Sequence, residues 1–154
     1  MSKLNLIIYI ALLVIVDYLI KGYASAHLNP FETIQFLPFL NFYLTSNTGI
    51  AFSMFDFGSG LSSYILLIIA VAIVIFLIQQ LLNETRKLSQ VGFIFIIGGA
   101  LGNIIDRAGD GAVTDFLHFY INNFSFFIFN PADAFITIGA LMLIYSEFGK
   151  TSNV

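Results

Sequence analysis

From Leu61 to Leu82 the chain runs "LSSYILLIIAVAIVIFLIQQLL" without a single charged side chain. At about 1.5 Å of rise per residue, a helix of this length crosses roughly 30 Å of hydrocarbon. The composition agrees: 58 % of residues are hydrophobic, 10 % are charged and mean hydropathy is +0.93, values that belong to a bilayer rather than to water. Three further apolar segments, near Leu4–Tyr23, Leu88–Ile105 and Ala132–Phe148, are long enough or nearly long enough to span. The charge-free run reads as a lipid-facing or packing helix, whereas these three carry ionisable groups near one end. The expected architecture is an α-helical membrane protein of four transmembrane helices, with a small extracytoplasmic β-sheet and a second extracytoplasmic loop. Neither a repeat nor a low-complexity tract divides the chain, so residues 1–154 are expected to form a single membrane domain. The first segment has the apolar run of a secretory signal, but Asp17 interrupts it and no small-residue cleavage site closes it, so it is read as a retained span.

Lys3, Arg86, Lys87 and Lys150 fall at one membrane face, against Lys21 and Arg107 at the other. Basic residues favour the cytoplasmic flank, so both termini are expected to be cytoplasmic. Asp17, Glu32, Asp56, Asp106, Asp110, Asp115 and Asp133 then lie at or beyond the outer face, with Glu84 and Glu147 near the inner one. Chemistry is expected outside. The chain has no Cys, which excludes a disulfide framework and a thiolate nucleophile. His27 and His118 are too few and too far apart to suggest a metal site, and no cofactor is expected. A net charge of -3 without a basic cluster argues against nucleic acid as a partner.

The outward connections, about residues 24–60 and 106–131, are long, whereas the inward one, "NETRK", is minimal. Long connections in compact proteins carry function or structure of their own. The alternation in "IQFL" and "LNFYLT" predicts a small sheet on the membrane surface. In "DFLHFYINNFSFFIFNPAD" two aromatic runs flank Asn122-Asn123, residues suited to a tight turn. Such a hairpin pairs residues whose numbers sum to 245, setting Asp115 opposite Asn130 and near Asp133. The aromatics read equally well as an interfacial belt, which leaves the acids unexplained.

An Asp at the centre of a membrane helix costs about 2.5–3.5 kcal/mol even on lenient scales, so each acid needs a reason. Asp17 and Lys21, spaced i, i+4, read as a structural charge pair, with ordering of a site as the alternative. Asp106 and Arg107 end the third span, where snorkelling or local pairing suffices. Asn130 as N-cap, Pro131 at N1 and Asp133 at N3 make a well-formed helix start, which also favours an ionised carboxylate. Asp115 stands in the apolar setting "AVTDFLHF". Two carboxylates about 3 Å apart share one proton and can activate water on one side while protonating a leaving nitrogen on the other. Asp133 is expected to be the more ionised member and Asp115 the more protonated, within a coupled pair. Asn47, Asn103 and Asn130 could orient water, substrate carbonyls or the acids, and Arg107 could set the local field, although each amide alone also suits a cap or turn. "GGALG", residues 98–102, suits close helix packing or the approach of an extended substrate.

"VDYLIKG" at 16–22, "SNTGIAFS" at 46–53, "GGALGNIIDR" at 98–107, "VTDF" at 113–116 and "FNPADAFI" at 129–136, in this order on a four-span chain, resemble the lipoprotein signal peptidase (signal peptidase II) family of bacterial aspartic proteases. The resemblance covers essentially the whole chain. It implies an endopeptidase of the cytoplasmic (inner) membrane that removes signal peptides from prolipoproteins, cutting at the outer face just before a diacylglyceryl-modified Cys. It implies Asp115 and Asp133 as the catalytic pair, and Asn47, Asn103, Arg107 and Asn130 as residues contacting substrates and globomycin-type inhibitors. Membrane lipids are implied as further partners. The chain departs from the family pattern at Ser46, where Arg is common, at Ile50, where Ala is usual, and at Thr114, where Val is commoner. Three other readings compete. A small proton-coupled transporter subunit should line both leaflets with charge, whereas here the acids cluster at one end. An alcohol phosphatidyltransferase, suggested by "DRAGDGAVTD", needs a different acidic spacing. A non-catalytic lipid-binding scaffold predicts that neutralising either acid alters little beyond stability.

Overall fold

The computed structural model describes residues 1–49, 61–122 and 124–151. Asp56, Asn123 and the Ile50–Ser53 part of the "SNTGIAFS" motif lie outside the described residues, as does the Lys150 side chain. The elements are α1 (Lys3–His27), β1 (Thr33–Leu37), β2 (Leu40–Asn47), α2 (Leu61–Asn83), α3 (Lys87–Asp110), β3 (Val113–Ile121), β4 (Phe124–Phe129) and α4 (Pro131–Thr151). All four helices are long and apolar enough to cross a membrane.

α3 is the axis of the bundle, and α1, α2 and α4 all pack on it. The cause is in its sequence: a Cβ at Gly99 would overlap the Ala132 carbonyl, one at Gly98 would lie 2.8 Å from Leu13 Cβ, and one at Gly102 would lie 2.5 Å from Asp17 Oδ2. "GGALG" therefore does serve close packing: the bare glycines let the α4 backbone at Ala132 and the Leu13 and Asp17 side chains of α1 come directly against α3. Leu6, Val74, Leu81, Ile94 and Ile97 form the apolar centre between α1, α2 and α3. The outward faces of α1, α2 and α4 carry large exposed apolar side chains such as Leu4, Ile7, Ile68 and Leu141, a surface suited to acyl chains. At one end of the bundle Arg86 pairs with Glu84 at 3.0 Å and with Glu147 at 2.9 Å. Among the described residues the buried acids, Asp17 and Asp115, lie at the other end.

The two outward connections do not form separate structures. Their strands join in one antiparallel sheet of order β1-β2-β3-β4, because β2 pairs with β3 from Leu40↔Phe119 to Asn47↔Val113. The expected hairpin forms with Asn122 in the left-handed region at φ 53°, and Ile121↔Phe124 and Tyr120↔Ser125 keep the expected register. A bulge then intervenes, so that Phe119 faces Phe127 and Leu117 faces Phe129. Asp115 is consequently not opposite Asn130; its strand partner is Thr45. The extra residue, Phe126, packs on Phe119 and Phe124 with ring centroids 5.6 and 4.7 Å away, which accounts for the slip.

α3 also runs further than Ile105, ending at Asp110 with Gly111 at φ 73° donating its N–H to the Arg107 carbonyl. Asp106 and Arg107 are thus inside the last turns of the helix rather than beyond it. Ser63 Oγ donates to the Gly111 carbonyl and ties the start of α2 to this corner. Ala24, Leu44 and Phe116 pack the end of α1 against the sheet.

Candidate active site

The start of α4 leaves first-turn amides without helical acceptors, and the way they are satisfied builds the site. Pro131 has no N–H, the Ala132 N–H donates to Asp17 Oδ1 at 2.9 Å, and the Asp133 N–H donates to Asn130 Oδ1 at 3.0 Å. Asp133 Oδ2 in return accepts the Asn130 N–H at 3.2 Å, a reciprocal cap. The Asn130 NH2 is left over, and it donates to Asp115 Oδ1 at 2.6 Å. One fully buried side chain therefore links both acids.

Asp115 is brought in from β3 and is 2 % exposed. Its other oxygen, Oδ2, accepts from Asn47 Nδ2 at 2.9 Å, while Asp133 Oδ1 accepts from Asn103 Nδ2 at 2.8 Å. Burial pushes the Asp115 carboxyl up to about 6, against the pull of the Asn47 and Asn130 hydrogen bonds, with the nearby Asp133 charge adding to the rise. The orientation of each amide is dictated by a donor on its oxygen side: Gly49 N–H for Asn47 at 3.1 Å, Asp133 N–H for Asn130, and Lys21 Nζ for Asn103 at 3.0 Å. All three amides must therefore present N–H to a carboxylate.

Asp17 and Lys21 pair as their spacing predicts, at 2.7 Å, with both side chains buried. Lys21 also meets Asp106 Oδ2 at 3.0 Å, and that oxygen accepts the Thr114 N–H at 3.1 Å. Asp106 thus belongs to the buried network, which the sequence reading missed. Its position three residues after Asn103, on the same helix face, was the available signal. Arg107 donates from Nη2 to the Gly49 carbonyl at 2.9 Å, and its buried Nε has no partner among the described residues.

Asn47, Asn103, Arg107, Asp115 and Asp133 all line one groove of about 690 Å³. Its walls are Leu66, Ile69, Ala70 and Ile73 of α2, Ala134, Thr137 and Ile138 of α4, and Phe127–Phe129 of β4. The α2 positions follow i, i+3, i+4, i+7, one helical face, but in a uniformly apolar helix no contrast marks that face. Such a groove can hold an extended or helical apolar segment while presenting two acids to a bond at its polar end. Among the described residues no group of three or more His, Asp or Glu is arranged to hold a metal ion.

Fold and site together define a helical membrane protein with an acid-bearing groove at one end of its bundle. The chain belongs to the signal peptidase (SPase) II family, whose model matches residues 9–149. It is 41 % identical over 137 residues to a lipoprotein signal peptidase of Yersinia pseudotuberculosis, covering 88 % of this chain and 81 % of that protein. It is 40 % identical over 150 residues to a lipoprotein signal peptidase of Bartonella bacilliformis, covering 96 % and 89 %. Its structure is similar to a bacterial membrane enzyme solved by the in meso method at 2.3 Å resolution, with TM-score 0.81, 29 % identity and coverage of 98 % and 92 % of the two chains. Membership makes the protein a membrane protease of the signal peptidase II kind and fits a bacterial inner-membrane protein. The transporter alternative is left without support.

Proposed function

We propose that the protein is an aspartic endopeptidase that removes the signal peptide from diacylglyceryl-modified prolipoproteins, cutting just before the lipid-bearing Cys. The observation that carries this reading is Asn130, which donates from its side chain to Asp115 and from its backbone to Asp133 at the polar end of an apolar groove. Ionised Asp133 takes a proton from water as the water oxygen attacks the scissile carbonyl carbon, and Asp115 passes its proton to the carbonyl oxygen. The resulting diol collapses: its hydroxyl returns a proton to Asp115, and Asp133 gives its proton to the departing nitrogen. The peptide bond breaks with both acids restored.

Arg107 and the amides of Asn47, Asn103 and Asn130 hold the acids and the substrate backbone, and globomycin-type inhibitors would compete for the same groove. The apolar walls suit a signal helix and its acyl chains, which a water-borne site would have to extract at about 0.8 kcal/mol per CH₂. With Lys3, Arg86 and Lys87 at the cytoplasmic face, both termini are inside and the acids lie at the outer face. The test is cleavage of a diacylglyceryl-modified prolipoprotein by the purified protein and by Asp115→Asn and Asp133→Asn. Each variant should lose at least about a hundredfold in kcat at undiminished membrane level; wild-type cleavage by either folded variant would overturn the assignment.

A further inference from the structure

We propose that Lys21 is a positioning residue for Asp133, fixing the Asn103 amide so that its NH2 end is delivered to the Asp133 carboxylate. This rests on the protease reading, and it goes beyond treating Asp17 and Lys21 as a charge pair. The Lys21 ammonium has three N–H donors and no acceptor. It forms ion pairs with Asp17 Oδ2 at 2.7 Å and Asp106 Oδ2 at 3.0 Å, and donates a hydrogen bond to Asn103 Oδ1 at 3.0 Å. Asn103 Nδ2 then donates to Asp133 Oδ1 at 2.8 Å. A flipped amide would set NH2 against the ammonium and oxygen against the carboxylate, two repulsive contacts in place of two attractive ones.

The comparison with the other two amides gives the reason for a lysine. Asn47 and Asn130 lie at the ends of β2 and β4, where free backbone N–H groups are available to hold their oxygens. Asn103 lies inside α3, where backbone N–H groups are consumed by the helix. A donor must come from another element, and α1 supplies it across the gap opened by Gly102. Lys21 is 3 % exposed and does not line the groove, so it acts on the reaction through the groups it holds rather than by touching substrate, and Asn103 is the one that reaches an acid side chain directly. Its two counter-ions are themselves anchored, Asp17 on the Ala132 N–H beside Asp133 and Asp106 on the Thr114 N–H beside Asp115. The cluster thus sets both acids from one buried cation.

The experiment compares the full-length wild type with Lys21→Met and with Asp17→Asn/Lys21→Met. The double variant keeps an acceptor for Ala132 and leaves no unpaired buried Asp17 carboxylate. Two readouts are taken: hydrogen exchange of the Asn103 side-chain amide by NMR, assigned by its loss in Asn103→Ser, and kcat and KM on a diacylglyceryl-modified prolipoprotein. The amide should be protected in the wild type. In a folded variant its exchange should quicken at least about tenfold and kcat should fall about tenfold or more, with KM within about twofold. Unchanged exchange or unchanged kcat in a folded variant, a loss confined to KM, or an amide already unprotected in the wild type would overturn the role of Lys21. Exchange needs no catalysis: a protected wild-type amide in a protein that cleaves nothing would defeat the protease reading while leaving the hold on Asn103 intact.

Discussion

Asn130 bonds through its backbone N–H, its side-chain oxygen and its side-chain NH2; the first two form the cap and the third reaches Asp115. The cap was legible, because Asn-Pro-x-Asp is a helix start whatever surrounds it. The third bond was not, since it depends on where β3 brings Asp115. The same holds for the amide orientations, which are decided by donors distant in sequence. The buried Asp115 carboxyl has a consequence that pH should reveal. Burial holds Asp115 at about 6, above the ordinary carboxylate range, so the folded protein binds that proton more tightly than the unfolded chain does. Its contribution to stability is full below the unfolded value of about 3.9 and is lost as pH rises through about 6. In the proposed mechanism this is the proton passed to the scissile carbonyl, so kcat/KM should fall with an apparent pKa near 6 in the free enzyme. A pH–rate profile and thermal unfolding from pH 4 to 8, each repeated on Asp115→Asn, check both; in the variant this step in the unfolding curve should vanish.

At the scale of elements, the helices were readable from apolar length and the strands from alternation, but not how strands from different loops pair. β2 and β3 are separated by two spans, and their pairing carries its own irregularity between Phe42 and Thr45. Nor does a run of aromatics announce which residue a bulge will leave unpaired, as Phe126 illustrates. The small residues of α3 were more informative, and they predict a contrast. Gly99→Val drives a side chain into the Ala132 carbonyl at the start of α4, and should cost about 1–3 kcal/mol together with much of the activity. Gly109→Ala, with nothing within 4 Å of the new Cβ, should leave both unchanged. Thermal unfolding and cleavage assays in the same detergent separate the two.

For the whole molecule, the consequence of the fold is a groove whose apolar walls and polar end come from elements far apart in sequence. The face of α2 that lines it was invisible in a helix apolar all round, yet it should matter for substrate entry. Ala70→Phe fills the groove and should raise KM about tenfold, whereas Ile68→Phe, on the exposed face of the same helix, should leave it unchanged. The central claim is that Asp115 and Asp133 work as a unit around one proton. Kinetics of Asp115→Asn, Asp133→Asn and the double variant on a diacylglyceryl-modified prolipoprotein test it most directly. Each single variant should lose nearly as much kcat as the double. Losses that multiply in the double variant, or a single variant cleaving at the wild-type rate, would contradict it.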